Sequence, residues 1–189
     1  DPHQDTPVEI LHIGLLAFVK YFWRDAVARI KNSDTDILIA RFSSFNVSGL
    51  GISALSGPTL VTYSDSLAGR DFRAIVQAAP FDLQRLLPEA NLRAWAALRA
   101  VVTLVWQPHI NDLNKYIVNL EKAIDRFLDC TCQLTFNWFN KPKFHIILHL
   151  PAHIQRLLFQ SIFQLTPHIR TCCAQWNNPI SLPRALRNL

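Results

Sequence analysis

The longest apolar stretch near the start of the chain, Ile10, Leu11, Ile13, Leu15, Leu16, Phe18, Val19, Tyr21, Phe22 and Trp23, follows no single face. A helix that is apolar on nearly every side is one surrounded by protein, so this pattern predicts a central helix. Its start is marked by Thr6-Pro7-Val8-Glu9: Thr6 as the capping residue, Pro7 at the first helical position and Glu9 closing a capping box. Arg24, Arg29 and Lys31 occupy its last turns, where cations suit the helix dipole, and Asn32 can end it.

Ser33 and Asp34 can cap a second helix reaching about Phe45, followed by a loop through Gly49, Gly51, Gly57 and Pro58. Thr59 to Tyr63, β-branched and aromatic, reads as a short strand. From Gly69 the pattern is helical, and Pro80 and Pro88 are expected to cut it into short helices. Pro88 then opens a helix from about Glu89 to Trp106, with Leu92, Trp95, Ala96, Val102 and Val105 at helical spacing and Pro108 preventing its continuation. Asn111 or Asp112 caps the next. There Leu113, Tyr116, Ile117, Leu120, Ile124, Phe127 and Leu128 fall at three- and four-residue steps, opposite Lys115, Glu121, Lys122 and Asp125. Another helical stretch covers about Phe136 to Leu150 and leads to Pro151, Ile154, Leu157 and Leu158. Beyond that, neither the helical nor the strand period is clean.

The expected fold class is therefore mainly α, a helical bundle-like array that could include one or two short strands. The division is a helical region over 1–156 and a poorly packed basic tail over 157–189. With 189 residues, 50% of them hydrophobic, the chain can bury one core and is short for two. No apolar run approaches the roughly 20 residues that span a bilayer, and Asp1 to Asp5 lack the basic flank and apolar core of a signal peptide. An intracellular protein with no membrane partner is the expectation. The chain opens on Asp1 and has no Met, which reads as a piece of a longer protein.

Charge sharpens the break. Residues 1–129 carry 13 Lys and Arg against 14 acids, a net −1, whereas 130–189 carry Lys141, Lys143, Arg156, Arg170, Arg184 and Arg187 against none, a net +6. A polyanion such as nucleic acid is a permissible partner, although six cations over 60 residues make a dilute field. Cys130-x-Cys132 and Cys172-Cys173 lack the two-residue gap of zinc ribbons and redox motifs and read as free thiols.

Candidate chemistry is sparse. Glu9 and His12, three apart, could join His3, Asp1 or Asp5 around a divalent metal, though capping accounts for Glu9 and a polar contact for His12. His145, His149 and His153 recur every four residues as stacked ligands would. Pro151 is expected to disturb that face, and ordinary, partly exposed histidines are the simpler reading. No phosphate-binding loop, dinucleotide fingerprint or nucleophile elbow is present. Phe18, Phe22, Trp23, Trp95, Trp106 and Phe127 read as core rather than as base-stacking platforms.

Residues 5–23, Asp-Thr-Pro-Val-Glu-Ile-Leu-His-Ile-Gly-Leu-Leu-Ala-Phe-Val-Lys-Tyr-Phe-Trp, resemble transposon-derived proteins of mushroom-forming fungi, themselves similar to CACTA-type transposases. Two further stretches carry the likeness: Ser66 to Arg73 with Pro80-Phe81-Asp82-Leu83, and Lys141-Pro142-Lys143-Phe144-His145-Ile146-Ile147-Leu148-His149-Leu150. It covers about residues 1–156. The resemblance implies the helical insertion and flanking helices of an RNase H-like nuclease, in which three carboxylates hold two Mg²⁺ ions for attack on a DNA phosphate.

In that likeness Glu9 takes the place of an acidic metal ligand, usually Asp, and His12 that of the motif's histidine. Lys141, Lys143, His145 and His149 become DNA-contact candidates. The Phe-Glu-x-x-Asn-like segment expected soon after Arg156 does not follow, as if a frameshift or mis-spliced exon had replaced it, and the first acid would lie before Asp1. The implied molecule is a catalytically inactive transposase fragment, nuclear, without a cofactor of its own and prone to self-association through a face its missing neighbours would cover. Two other classes stand beside it: a helical protein-interaction module built on the stripe of 113–128, and an unrelated helical enzyme using its His and Cys residues.

Overall fold

The computed structural model describes residues 18–163 apart from 108, 136, 137 and 140, with backbone only for 157–163. Glu9, His12, the capping box of Thr6 and Glu9 and the tail from 164 lie outside the described residues. The described chain is helical, and no strand occurs among these residues. In order it forms α1 (Lys20–Arg29), α2 (Asn32–Ser44), α3 (Gly57–Thr62), α4 (Gly69–Asp82), α5 (Glu89–Val105), α6 (Leu113–Cys132), α7 (Pro142–Ile146), a 3₁₀ turn (Ile147–His149) and α8 (Leu150–Phe163).

α1, entered through a wider π-type turn at Phe18 and Val19, is the axis of the core. Phe18, Val19, Phe22, Trp23 and Ala26 are all buried. Most of their ring contacts are edge-on, the arrangement that the aromatic quadrupole favours, while Phe22 lies tilted against Phe127 and Trp138. Phe18 meets Phe127 of α6 at 5.3 Å and Phe144 of α7 at 4.9 Å between centroids. Phe22 meets Trp95 of α5 at 5.5 Å, and Trp23 meets Phe42 of α2 at 5.0 Å. The Trp23 indole N–H donates to the Leu60 carbonyl in α3 at 2.8 Å, so the ring's one polar group is satisfied inside the core.

α5 and α6 form the other main wall. Asp112 caps α6 by accepting from the Lys115 N–H at 3.0 Å. Tyr116, Leu120, Ile124 and Phe127 are buried on one face of α6, and Leu113, Ile117 and Leu128 pack against the core from its flanks. The Tyr116 hydroxyl donates to the Leu104 carbonyl of α5 at 3.2 Å, and burial pushes its pKa up to about 12. On α5 the inward positions are Ala94, Trp95, Ala97, Leu98, Val101 and Val102, while Ala96 faces solvent, one step out of the register expected for it.

Four other boundaries differ from the sequence reading. Thr59 to Tyr63 is not a strand: Ser56 accepts from the Thr59 N–H, Pro58 sits in the first helical turn, and Leu60 and Val61 turn inward from the resulting helix. Pro80 does not cut α4, which runs on to Asp82: in the last turn it forgoes its own bond to the Val76 carbonyl, but little helix is left beyond it to disrupt. α1 ends at Arg29, with Ile30 extended and Asn32 opening α2 rather than closing α1. The residue before α2 is Lys31, and Ser33 bonds its neighbour Asp34 at 3.2 Å instead of capping.

α2 and α3 touch where there is least material. A β-carbon at Gly57 would fall on the Ile39 carbonyl oxygen and lie 2.5 Å from the Ser43 hydroxyl. The Gly57 N–H donates to that hydroxyl at 3.2 Å. Between those two positions of α2, Arg41 donates to the carbonyls of Asp82 at 2.8 Å and Gln84 at 2.7 Å, supplying partners to groups that the end of α4 leaves free. The Asp82 side chain is buried with Oδ2 unpartnered.

Two stability measurements follow from these contacts. Gly57→Ala has backbone in its way and should cost about 2 to 3 kcal/mol in a urea unfolding titration. Burial raises the Asp82 pKa above the usual carboxylate range, with Arg41 opposing the shift. The folded state therefore prefers protonated Asp82, and stability falls as pH rises from the ordinary carboxylate value through the raised one. Asp82→Asn should accordingly stabilise by about 1 kcal/mol at neutral pH, with the gain vanishing near pH 3.

Candidate functional site

The residues that carry chemistry and lie within the described structure converge on α7, the 3₁₀ turn and the first turns of α8. Pro142 in the first turn of α7 fixes the start of this segment. Phe144, Ile147, Leu150 and Pro151 are its inward positions, and Phe144 stacks beside Phe127 at 6.2 Å. With that face used for anchoring, His145, Leu148 and His149 are exposed and Lys141 and Lys143 are half-exposed.

Lys141 lays its ammonium over the Tyr21 ring of α1, 4.7 Å from the centroid, which holds the charge near the surface without neutralising it. No ion pair involves Lys141, Lys143 or Arg156 among the described residues. The four DNA-contact candidates therefore lie along one short segment, with Lys143 and His145 on opposite flanks of the buried Phe144, in a stretch whose sequence holds no acid after Asp129.

The histidines divide into two groups. His145 and His149 bring their Nε2 atoms to 3.2 Å, with ring planes crossed at 79°. His153 turns instead toward Arg156, whose Nη2 stands 3.5 Å from Nδ1. A guanidinium has no acceptor, so Nδ1 of His153 must accept and the ring proton belongs on Nε2. Pro151 does not break the backbone, because it falls in the opening turn of α8. The spacing of four thus produces a close pair and a third ring engaged elsewhere.

Glu9 and His12 lie outside the described residues, so the structure does not place them. Among the described residues no three His, Cys, Asp or Glu side chains gather as metal ligands. The described carboxylates therefore do not fit the pair of Mg²⁺ ions that the transposase likeness implies. Cys130 and Cys132 are free thiols, half-buried near the end of α6.

The 113–128 stripe, considered as a docking face for a partner, is occupied within the chain by the α5–α6 packing. Exposed large apolar residues, Ile37, Tyr63, Phe81, Val118, Phe139 and Leu148, lie on separate elements. No described helix is long and apolar enough to cross a membrane. No family model, curated protein or solved structure matches the chain.

Sequence reasoning missed the Asp82 and Arg41 arrangement, whose partners are 41 residues apart with no local motif. In α8, burial lowers the His153 pKa, with further lowering from the positive charge of Arg156 and from His149. Folding then favours the neutral ring: the associated stability is full above the usual histidine value and is lost as pH falls toward the lowered one. Arg156→Gln should raise the His153 titration midpoint, followed through its imidazole protons by NMR.

Proposed function

We propose that this chain is the helical scaffold of a CACTA-like transposase of the fungal type, without strand-cleaving activity by itself, and that it lays α7 and the start of α8 against the DNA backbone. The observation that carries the reading is the segment just described. Lys141, Lys143, His145 and His149 belong to a stretch that carries the likeness, and all four stay at least partly open to solvent along a segment pinned by Phe144, Ile147 and Leu150.

Such a segment has the chemistry of phosphate contact. Two ammonium groups and two imidazoles can donate to phosphate oxygens, and no nearby acid in the segment competes for them. None of these four side chains is an Arg, Asn or Gln able to present a planar bidentate fork to a base edge. Binding of this kind is sequence-independent, dominated by counterion release, and weak. A nuclear location follows from the same reading.

Glu9 and His12 keep their proposed roles as metal ligand and neighbouring motif histidine of a complete parental enzyme. Mg²⁺ would belong there with acids supplied by other parts of that enzyme. No step of catalysis is assigned to the described helices.

The test is binding of the full chain to a duplex across a salt series. Affinity should fall linearly on a log–log scale, and Lys141→Gln with Lys143→Gln should reduce the magnitude of the slope by about 2 if each lysine meets one phosphate. A protein with no DNA affinity at low salt, or a slope unmoved by the paired substitution, rejects the proposed contact and favours a protein-interaction module.

A further inference from the structure

His145 is in α7 and His149 closes the 3₁₀ turn, with buried Phe144 and Ile147 holding the backbone between and beside them. Their Nε2 atoms are 3.2 Å apart. Two imidazole nitrogens bound to one tetrahedral ion, each at about 2.0 to 2.1 Å, stand roughly 3.3 Å apart. The pair is within the tolerance of about 0.2 Å that metal-ligand distances allow. Both rings are exposed, so an ion can reach the gap from solvent.

A bare hydrogen bond between the two rings would use the same distance, with one Nε2 carrying the proton. At an exposed position that bond exchanges with water at little net gain. An ion offers more, since it engages both lone pairs at once. Imidazole donors select zinc, nickel and copper over magnesium and calcium, whose preferred ligands are oxygens.

We propose that His145 and His149 form a two-histidine chelate for a divalent transition-metal ion, zinc being the plain case, with water filling the other positions. His153 is not a third ligand, because its Nδ1 accepts from Arg156 and its Nε2 carries the proton. The site ties α7 to the turn that follows it, and its open positions leave the ion able to accept an anionic oxygen. This inference stands apart from the transposase reading, which can fail at the salt series without touching it.

The experiment is calorimetric titration of the metal-free full chain with zinc chloride near neutral pH, alongside His145→Gln, His149→Gln and His153→Gln. Losing an outer partner of a metal ligand already costs about 10 to 100-fold in affinity, so losing either ligand should cost at least about tenfold. His153→Gln should leave affinity within about twofold. Copper(II) bound to the unsubstituted chain supplies a readout independent of any variant's folding: its paramagnetic resonance spectrum should show two equivalent imidazole nitrogens. Zinc affinity unmoved by both ligand substitutions, equal loss in His153→Gln, absence of zinc binding to the native chain, or a spectrum with a single nitrogen overturns the proposal.

Discussion

The structure depends on α1 being enclosed, and the tightest expression of that constraint is Trp23. Its ring is wedged between Phe42 and Trp95, and its N–H reaches the Leu60 carbonyl. Burying an indole removes about 150 to 250 Å² from water, which at about 25 cal/mol per Å² stabilises the fold by roughly 4 to 6 kcal/mol. The hydrogen bond adds only about 1 kcal/mol net. Burial therefore supplies the energy, while the bond fixes which way the ring points and holds α3 against α1. Phe18 and Phe22 do the same toward α5, α6 and α7, so one helix gives its neighbours a common wall.

That enclosure reaches the surface through Phe144. Once this ring is committed to Phe18 and Phe127, α7 has a fixed rotation, and the residues on either side of it must point elsewhere. Lys143 and His145 are turned toward solvent by the same packing that buries Phe144, and Ile147 and Leu150 extend the anchor past the 3₁₀ turn. The geometry of the two-histidine pair is thus a consequence of core packing. No polar network has to hold it.

What the sequence made legible was whatever is encoded at helical period over several turns. The α6 stripe with its Asp112 cap and the opening of α5 after Pro88 each have one solution in a small helical protein. Short segments misled. Thr59 to Tyr63 has strand-like residues, but Ser56 and Pro58 just before them are a cap and a first-turn proline, and those local signals outweigh β-propensity over so few residues. Prolines were read as breaks when their position within a turn decides their effect, as Pro80 and Pro151 show at opposite ends of their helices. The site was legible as a list of residues, since Lys141, Lys143, His145 and His149 were all visible in one block. Which two histidines meet was not, because that depends on the passage from α-helix to 3₁₀ turn and on Arg156 drawing His153 away.

Several cations of the earlier helices have partners inside the chain. There, Arg29 meets Asp25 within α1, Arg24 meets Asp65 across a loop, Arg41 serves the carbonyls ending α4, and Arg73 and Arg99 lie over the rings of Trp106 and Phe81. Such surface pairs contribute little stability singly, but they leave those cations with partners inside the chain. Around α7 and the described side chains of α8 the company is aromatic: Lys141, just before α7, lies over the Tyr21 ring, which attracts the ammonium while leaving its charge uncompensated, and Arg156 meets the His153 ring. Lys143 has no ion-pair partner among the described residues, so folding takes no Coulombic gain from it. Lys141 and Lys143 are therefore held by the fold without being neutralised by it, and their charge stays at the surface.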